Sequence, residues 1–302
     1  MRGIAVSYLA ESAEFAAGPE EAHNRMQATN WNRKALLGSF DKPLPPFFPL
    51  AVLATDLALL GAGTAVVLLA NGVALKLLGT LIVTAGIVRL FMVGHDACHG
   101  SFSGNKKLNA VCGRIAFLPS MTAFSLWQVG HNTAHHGFNN LKGRDQVWAP
   151  LSKVEIDALP RYRQLLERLY RSGFGWGAYY LIEMWWKKLY FASKKEVGSS
   201  RRKYKLDSLL VAAFAAAWVS GVLYAAAATE QSVALLVTLA VIVPFLLWNG
   251  VIGFVVYLHH TNPGIAWFQS RQEWQRNRAY LTSTACVRFP WGLDRLMHNI
   301  ME

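Results

Sequence analysis

Nine histidines occur in the 302 residues, and five of them crowd into the 42 positions from His95 to His136. His95 and His99 stand in HDACH, an i, i+4 pair whose side chains point about 40° apart around a helix, so both imidazoles face one point. His131, His135 and His136 stand in HNTAHH, which repeats that spacing and adds an adjacent third nitrogen. His259 and His260 close an apolar run in YLHHTNP. Imidazole is the commonest metal ligand among side chains, and seven imidazoles in three groups exceed what one tetrahedral zinc can take. Two nitrogen-ligated metals fit the pattern better. Asp96, Asn132, Asn139 and Asp145 lie close enough in sequence to accept the imidazole N–H opposite a metal, and each would serve equally as a helix cap or loop residue.

Other cofactor chemistries fit less well. Cys98, Cys112 and Cys286 fall in no paired spacing, which speaks against a disulfide framework, a thiolate zinc site or an iron–sulfur cluster. A haem held by two helices would use single histidines within apolar runs rather than pairs at their ends. The carboxylate di-iron sites of soluble helix bundles use Glu with ExxH, a pattern found in none of these three histidine groups.

The elements that must deliver these histidines are long and apolar. With 53% hydrophobic and 16% charged residues and a mean hydropathy of +0.23, the chain is too apolar for an ordinary soluble domain. Phe47 to Ala70 holds one charge, Asp56, and as a helix reaches about 36 Å, enough for the ~30 Å hydrocarbon core. Leu77 to Gly94 follows a short turn at Asn71 and Gly72, and Arg89 near its end is expected to snorkel to the interface. Ser208 to Thr229 is uncharged, and Gln231 to Leu258 follows after Glu230. The expected fold is all-α: an integral membrane protein with four transmembrane helices in two hairpins and a cytoplasmic helical cap that carries the histidine groups.

Charge supplies the orientation. The net charge is +12, and His95 to Leu206 holds 18 Lys and Arg against seven Asp and Glu, so this segment carries nearly all of it. The hairpin turns hold only Lys76 and Glu230. By the positive-inside rule the middle segment, both chain ends and the histidines lie in the cytoplasm, and lipid headgroups rather than nucleic acid explain the charge. Residues 1–45, with five basic and five acidic side chains, lack the pattern of a cleavable signal peptide. The expected divisions are a cytoplasmic segment 1–45, a first hairpin 46–94, a cap 95–206, a second hairpin 207–258 and a further part of the cap, 259–302. Ser172 to Ser193 interleaves aromatics with Lys187 and Lys188, which suits either a helix in the membrane surface or the apolar wall of the cap.

HDACHGSF from His95, HNTAHH from His131 with GRDQVWAP after it, and YLHHTNP together resemble the membrane-bound fatty acid desaturases, the histidine-box di-iron family, over about residues 45–302. The resemblance implies iron-ligand roles for His95, His99, His131, His135 and His136, and for His260 rather than His259. Asn262 stands where relatives often have a second histidine, so no role is carried over to it. The family closes its site with a third box of HxxHH type, whereas this chain reads MHNIME from Met297 and stops. That implies a chain truncated before the third box, a second iron short of ligands, and an inactive centre in the chain as it stands; His298 would support the ligands from behind.

The same resemblance implies two iron ions, O2 as co-substrate, and an electron donor such as a ferredoxin. The substrate would be an acyl-lipid or fatty-acyl chain, from which two hydrogens are removed to leave a double bond. Phe124, Trp127 and Trp148 flank the second box and could wall an acyl tunnel, or simply pack. Arg161, Arg163, Arg168, Lys187, Lys188, Lys194, Lys195, Arg201, Arg202 and Lys203 could dock an acidic donor or contact headgroups. A hydroxylase on the same scaffold, or a non-catalytic metal-binding membrane protein that keeps part of the pattern, would show the same first two boxes.

Overall fold

A computed structural model describes residues 47–145, 147–190, 201–261, 264–279 and 297–298. The expectations about 1–45, Phe191, Lys194, Lys195, Asn262 and Cys286, and about the side chain of Arg201, fall outside these residues. Among the described residues the chain is helical, with isolated bridges at Leu141–Phe268 and Lys142–Asp145 and no strand.

Helix α1 (Phe48–Leu69) carries Pro49 in its first turn, where no amide hydrogen is needed. Helix α2 (Val73–His99) returns against it through close glycine contacts: a Cβ on Gly79 would lie 2.9 Å from the Val67 nitrogen, and one on Gly86 would lie 3.0 Å from the Leu60 Cα. α2 stops at Gly100, left-handed at φ 78°, whose N–H caps the Ala97 and Asp96 carbonyls. Helix α3 (Lys106–Phe117) starts from Asn105, whose side chain accepts the amides of Lys107 and Leu108. Helix α4 (Phe124–Gln128) runs into a π-helix, Val129–His135, and a short 3-10 turn, His136–Phe138.

Helix α5 (Lys153–Asp157) opens on a Ser152–Glu155 capping box, and α6 (Arg161–Tyr170) follows. Helix α7 (Trp176–Tyr179) continues as a π-helix, Tyr180–Tyr190. Helix α8 is Arg201–Ala228. Helix α9 (Val233–Val237), a π-turn (Thr238–Ile242) and α10 (Val243–His260) form one apolar run, and α11 (Arg271–Arg276) lies beyond it. Four helices among the described residues are long and apolar enough to cross a membrane: Phe48–Leu69, Val73–His99, Arg202–Ala228 and Val233–His260.

The aromatic segment after Ser172 is a wall packed on α10. A Cβ on Gly177 would lie 2.9 Å from the Gly250 Cα, and one on Gly253 would meet the Trp176 carbonyl oxygen at 2.4 Å. Tyr179, Tyr180, Trp185 and Leu189 are buried, while Trp186 is exposed. Asp207 of α8 pins the region below the second histidine box: its carboxylate accepts Arg114 Nε at 2.7 Å and the Ser125 amide, in the first turn of α4, at 2.8 Å.

Arg89 departs from expectation. Its Nε lies 2.6 Å from Oδ1 of the fully buried Asp56 instead of reaching for the interface, because a buried carboxylate faces it across the α1–α2 contact and needs a cationic partner. The other Asp56 oxygen lies 2.7 Å from His298 Nε2. His298 is thus turned onto Asp56, and neighbouring Met297 belongs to the hydrophobic core.

Candidate metal centre

The carboxyl end of α2, the π-helix after α4 and the carboxyl end of α10 bring their histidines together in two groups. His95, His99, His131 and His136 form the first; His135, His260 and Asp145 form the second, with the potential ligand atoms of each within 4.8 Å of one another. In the first, His131 Nε2 lies 3.2 Å from His95 Nε2 and 2.9 Å from His136 Nε2. His99 joins them with its ring 4.9 Å from that of His136. Nitrogens this close repel through their lone pairs unless a proton or a cation lies among them, so the donor set fits a transition metal that favours imidazole.

The π-winding decides which histidines share a group. HNTAHH was expected to pair His131 with His135 at i, i+4, as in an α-helix. The wider π-turn instead aligns residues five apart, so His131 meets His136 and His135 is turned to the second group, its ring 4.8 Å from that of His260. The two groups remain neighbours, with the His131 and His135 rings 5.4 Å apart.

Acidic side chains orient the rings. Asp96 Oδ1 lies 3.2 Å from His95 Nδ1, and both Asp145 oxygens lie 3.1 Å from His135 Nδ1, leaving each Nε2 to face inward. Asp145 also accepts the amides of Asn140 and Val147 at 2.9 and 3.0 Å. Burial alone would raise its pKa, but the His135 bond and these two amides hold it below the ordinary carboxylate value. With its lone pairs so engaged, Asp145 suits a ring holder better than a direct ligand. Burial, reinforced by the surrounding histidines, pushes His131 well below the ordinary histidine value and His136 to about 4, so both are neutral, the form that binds metal.

Trp127 floors the first group, stacked on His131 at 3.9 Å and 26°. Asn132 does not touch a ring nitrogen but donates to the Cys98 carbonyl at 2.9 Å, tying the second box to the end of α2. The Asn139 carbonyl accepts the Trp274 indole at 2.7 Å, and it is the next residue, Asn140, that meets His260; alternation around a left-handed turn at Asn140 was not visible in the sequence. Phe124 and Trp148 are buried in packing, Phe124 beneath the Arg114 guanidinium and Trp148 stacked on Tyr179 at 3.9 Å. His259 sits beside His260 with its Nε2 buried and lacking a hydrogen-bond partner.

Membrane-length helices whose ends gather imidazoles into metal-sized groups define the class: a helical membrane protein with a histidine-rich centre. A fatty acid desaturase family profile matches residues 71–301, and the chain belongs to that family. Over 218 residues it is 29% identical to an sn-1 oleoyl-lipid 12-desaturase of Arthrospira platensis, covering 70% of this chain and 57% of the relative. It is 28% identical to a chloroplastic omega-6 fatty acid desaturase of Glycine max over 71% of this chain and 48% of that one. It is also 29% identical to an sn-1 acyl-lipid omega-3 desaturase (ferredoxin) of Synechocystis, over 60% of this chain and 48% of that one. The chain spans about half the length of the curated relatives it matches.

Proposed function

We propose that the protein is an acyl-lipid desaturase whose two histidine groups hold a pair of irons. The observation that carries this reading is the meeting of imidazoles from three distant stretches, with the Nε2 atoms of His95, His131 and His136 converging within 3.2 Å contacts. His95, His99, His131 and His136 would hold one iron, and His135 and His260 the other. When bound, the irons supply O2 activation: with two external electrons and two protons, O2 and two vicinal methylenes become two waters and a double bond.

The chain's own residues prepare that chemistry. Asp96 and Asp145 keep the Nδ1 protons of His95 and His135 and so aim each Nε2 inward. Trp127 excludes water from beneath the first group. An acyl chain offers no polar handle, so its position must come from apolar walls; a cleft of about 310 Å³ between Ile87, Met121, Trp185, Phe214, Trp218 and Phe245 has walls of that character.

The 27 residues of α2 and the 28 of the last span reach about 40 Å, roughly 10 Å beyond the hydrocarbon core. That excess would carry the histidines into water, on the cytoplasmic side by the positive-inside rule, with the spans arranged as two hairpins. The electron donor would be a small acidic carrier of ferredoxin type, met by exposed Arg161, Arg168, Lys187, Arg202 and Lys203. Arg163 is withdrawn from that surface, engaged by Glu183 and Glu167.

Expression with a ferredoxin and its reductase, followed by mass spectrometry of membrane fatty acids, tests the reading. Against the inactive centre that the resemblance implies for an incomplete ligand set, a new unsaturated species that disappears with His131→Ala is expected, because six imidazoles already gather in the two groups. Unchanged lipids from an iron-loaded chain, or new hydroxyl groups instead of double bonds, would overturn it.

A further inference from the structure

Asn140 stands between the two histidines of the second group. It is fully buried, and its backbone lies at φ 58°, in the left-handed region that asparagine enters more readily than most residues. Its amide N–H donates to Asp145 Oδ2 at 2.9 Å, its Nδ2 donates to the Ala266 carbonyl at 3.2 Å, and its Oδ1 faces His260 Nδ1 at 3.4 Å. The Asn140 carbonyl in turn accepts the Phe268 amide at 3.0 Å. Box two and the segment that follows α10 are therefore registered on one residue.

The contact with His260 has a direction. An amide oxygen can only accept, and the side chain cannot be flipped without aiming that oxygen at the Ala266 carbonyl. Nδ1 of His260 must carry the proton, which leaves the lone pair on Nε2. We infer that Asn140 is a positioning residue that selects the Nδ1–H tautomer of His260, making Nε2 the metal-binding nitrogen. Its peptide N–H at the same time braces Asp145, which does the corresponding work for His135. One residue, 120 positions from His260 in sequence, thus sets both rings of the second group.

This inference rests on the metal-centre reading above, yet its first test needs no metal. In metal-free protein carrying 15N-histidine in lipid nanodiscs, long-range proton–nitrogen spectra distinguish Nδ1–H from Nε2–H, with His260 assigned by its loss in His260→Gln. The Nδ1–H form is expected in the unmodified chain and in Asn140→Asp, where a carboxylate oxygen still accepts. Asn140→Gly keeps the left-handed backbone and the bond to Asp145 but removes the acceptor, so His260 should pass to a mixture or to Nε2–H. An Nε2–H form in the unmodified chain, or an unchanged Nδ1–H form in Asn140→Gly, overturns the inference.

Cobalt(II) titration gives the second readout. Asn140→Gly should lower affinity at the second group by about 10–100-fold and leave the first unchanged. Equal affinities would show that the residue shapes the loop without tuning the ligand. A chain that binds no cobalt at either group contradicts the metal-centre reading, while the tautomer result decides the role of Asn140 independently.

Discussion

His131 and His136 are held neutral by burial and by the histidines around them, and that has a consequence for stability. In the unfolded chain such rings take up protons near the ordinary value of 6.5, whereas folded His136 resists protonation until about 4. Between these values the unfolded state binds more protons, so stability falls as pH falls through this window. The melting temperature of metal-free protein is expected to decline from pH 6.5 to 4, and bound metal should flatten the upper part of the decline. A metal-free melting temperature that stays level would contradict a neutral cluster. Residue types and spacing were enough to nominate these histidines, because i, i+4 geometry is a property of the sequence alone. They were not enough to apportion them: the π-winding that joins His131 to His136 depends on how the second box is braced, with Asn132 on the Cys98 carbonyl and Asp145 on His135. Asn139 and Asn140 are chemically identical, and only the left-handed backbone at Asn140 tells which one meets His260.

The elements were legible where composition sets them. A run of apolar residues longer than the hydrocarbon core needs no tertiary information to be read as a span, and Val73–His99 and Val233–His260 both end on the histidines that mark them. Partners across helices were less visible: Arg89 reads as a snorkelling side chain until Asp56 of the facing helix is known to lie 2.6 Å away. The seating of the aromatic wall on α10 likewise depends on small residues that look like helix filler. At Gly253 an added Cβ would meet the Trp176 carbonyl oxygen at 2.4 Å, and a backbone atom cannot swing aside as a side chain would. Gly253→Ala is therefore expected to destabilise the protein by about 1–3 kcal/mol through overpacking. Gly221→Ala, on open space in α8, should be neutral or slightly stabilising by helix propensity. Thermal unfolding in lipid measures both, and equal midpoints would remove the close packing of α7 on α10 from the account.

For the whole molecule, the unequal distribution of charge makes the topology testable. Glu230→Cys, in the turn between the last two spans, should react with a membrane-impermeant maleimide added outside sealed cells, and Lys203→Cys only after the membrane is opened. The reverse pattern would place the histidines on the opposite side. Family membership follows from the match over residues 71–301, and the proposed chemistry requires that imidazoles from three stretches hold metal together. Iron analysis with X-ray absorption at the iron edge, on the chain purified in lipid, examines that requirement most directly. The account predicts about two irons per chain, one for each histidine group, with a light-atom shell of imidazole nitrogens and a loss of iron in His131→Ala. A chain that takes up no iron, or whose iron stays in full when His131 is replaced, would contradict it.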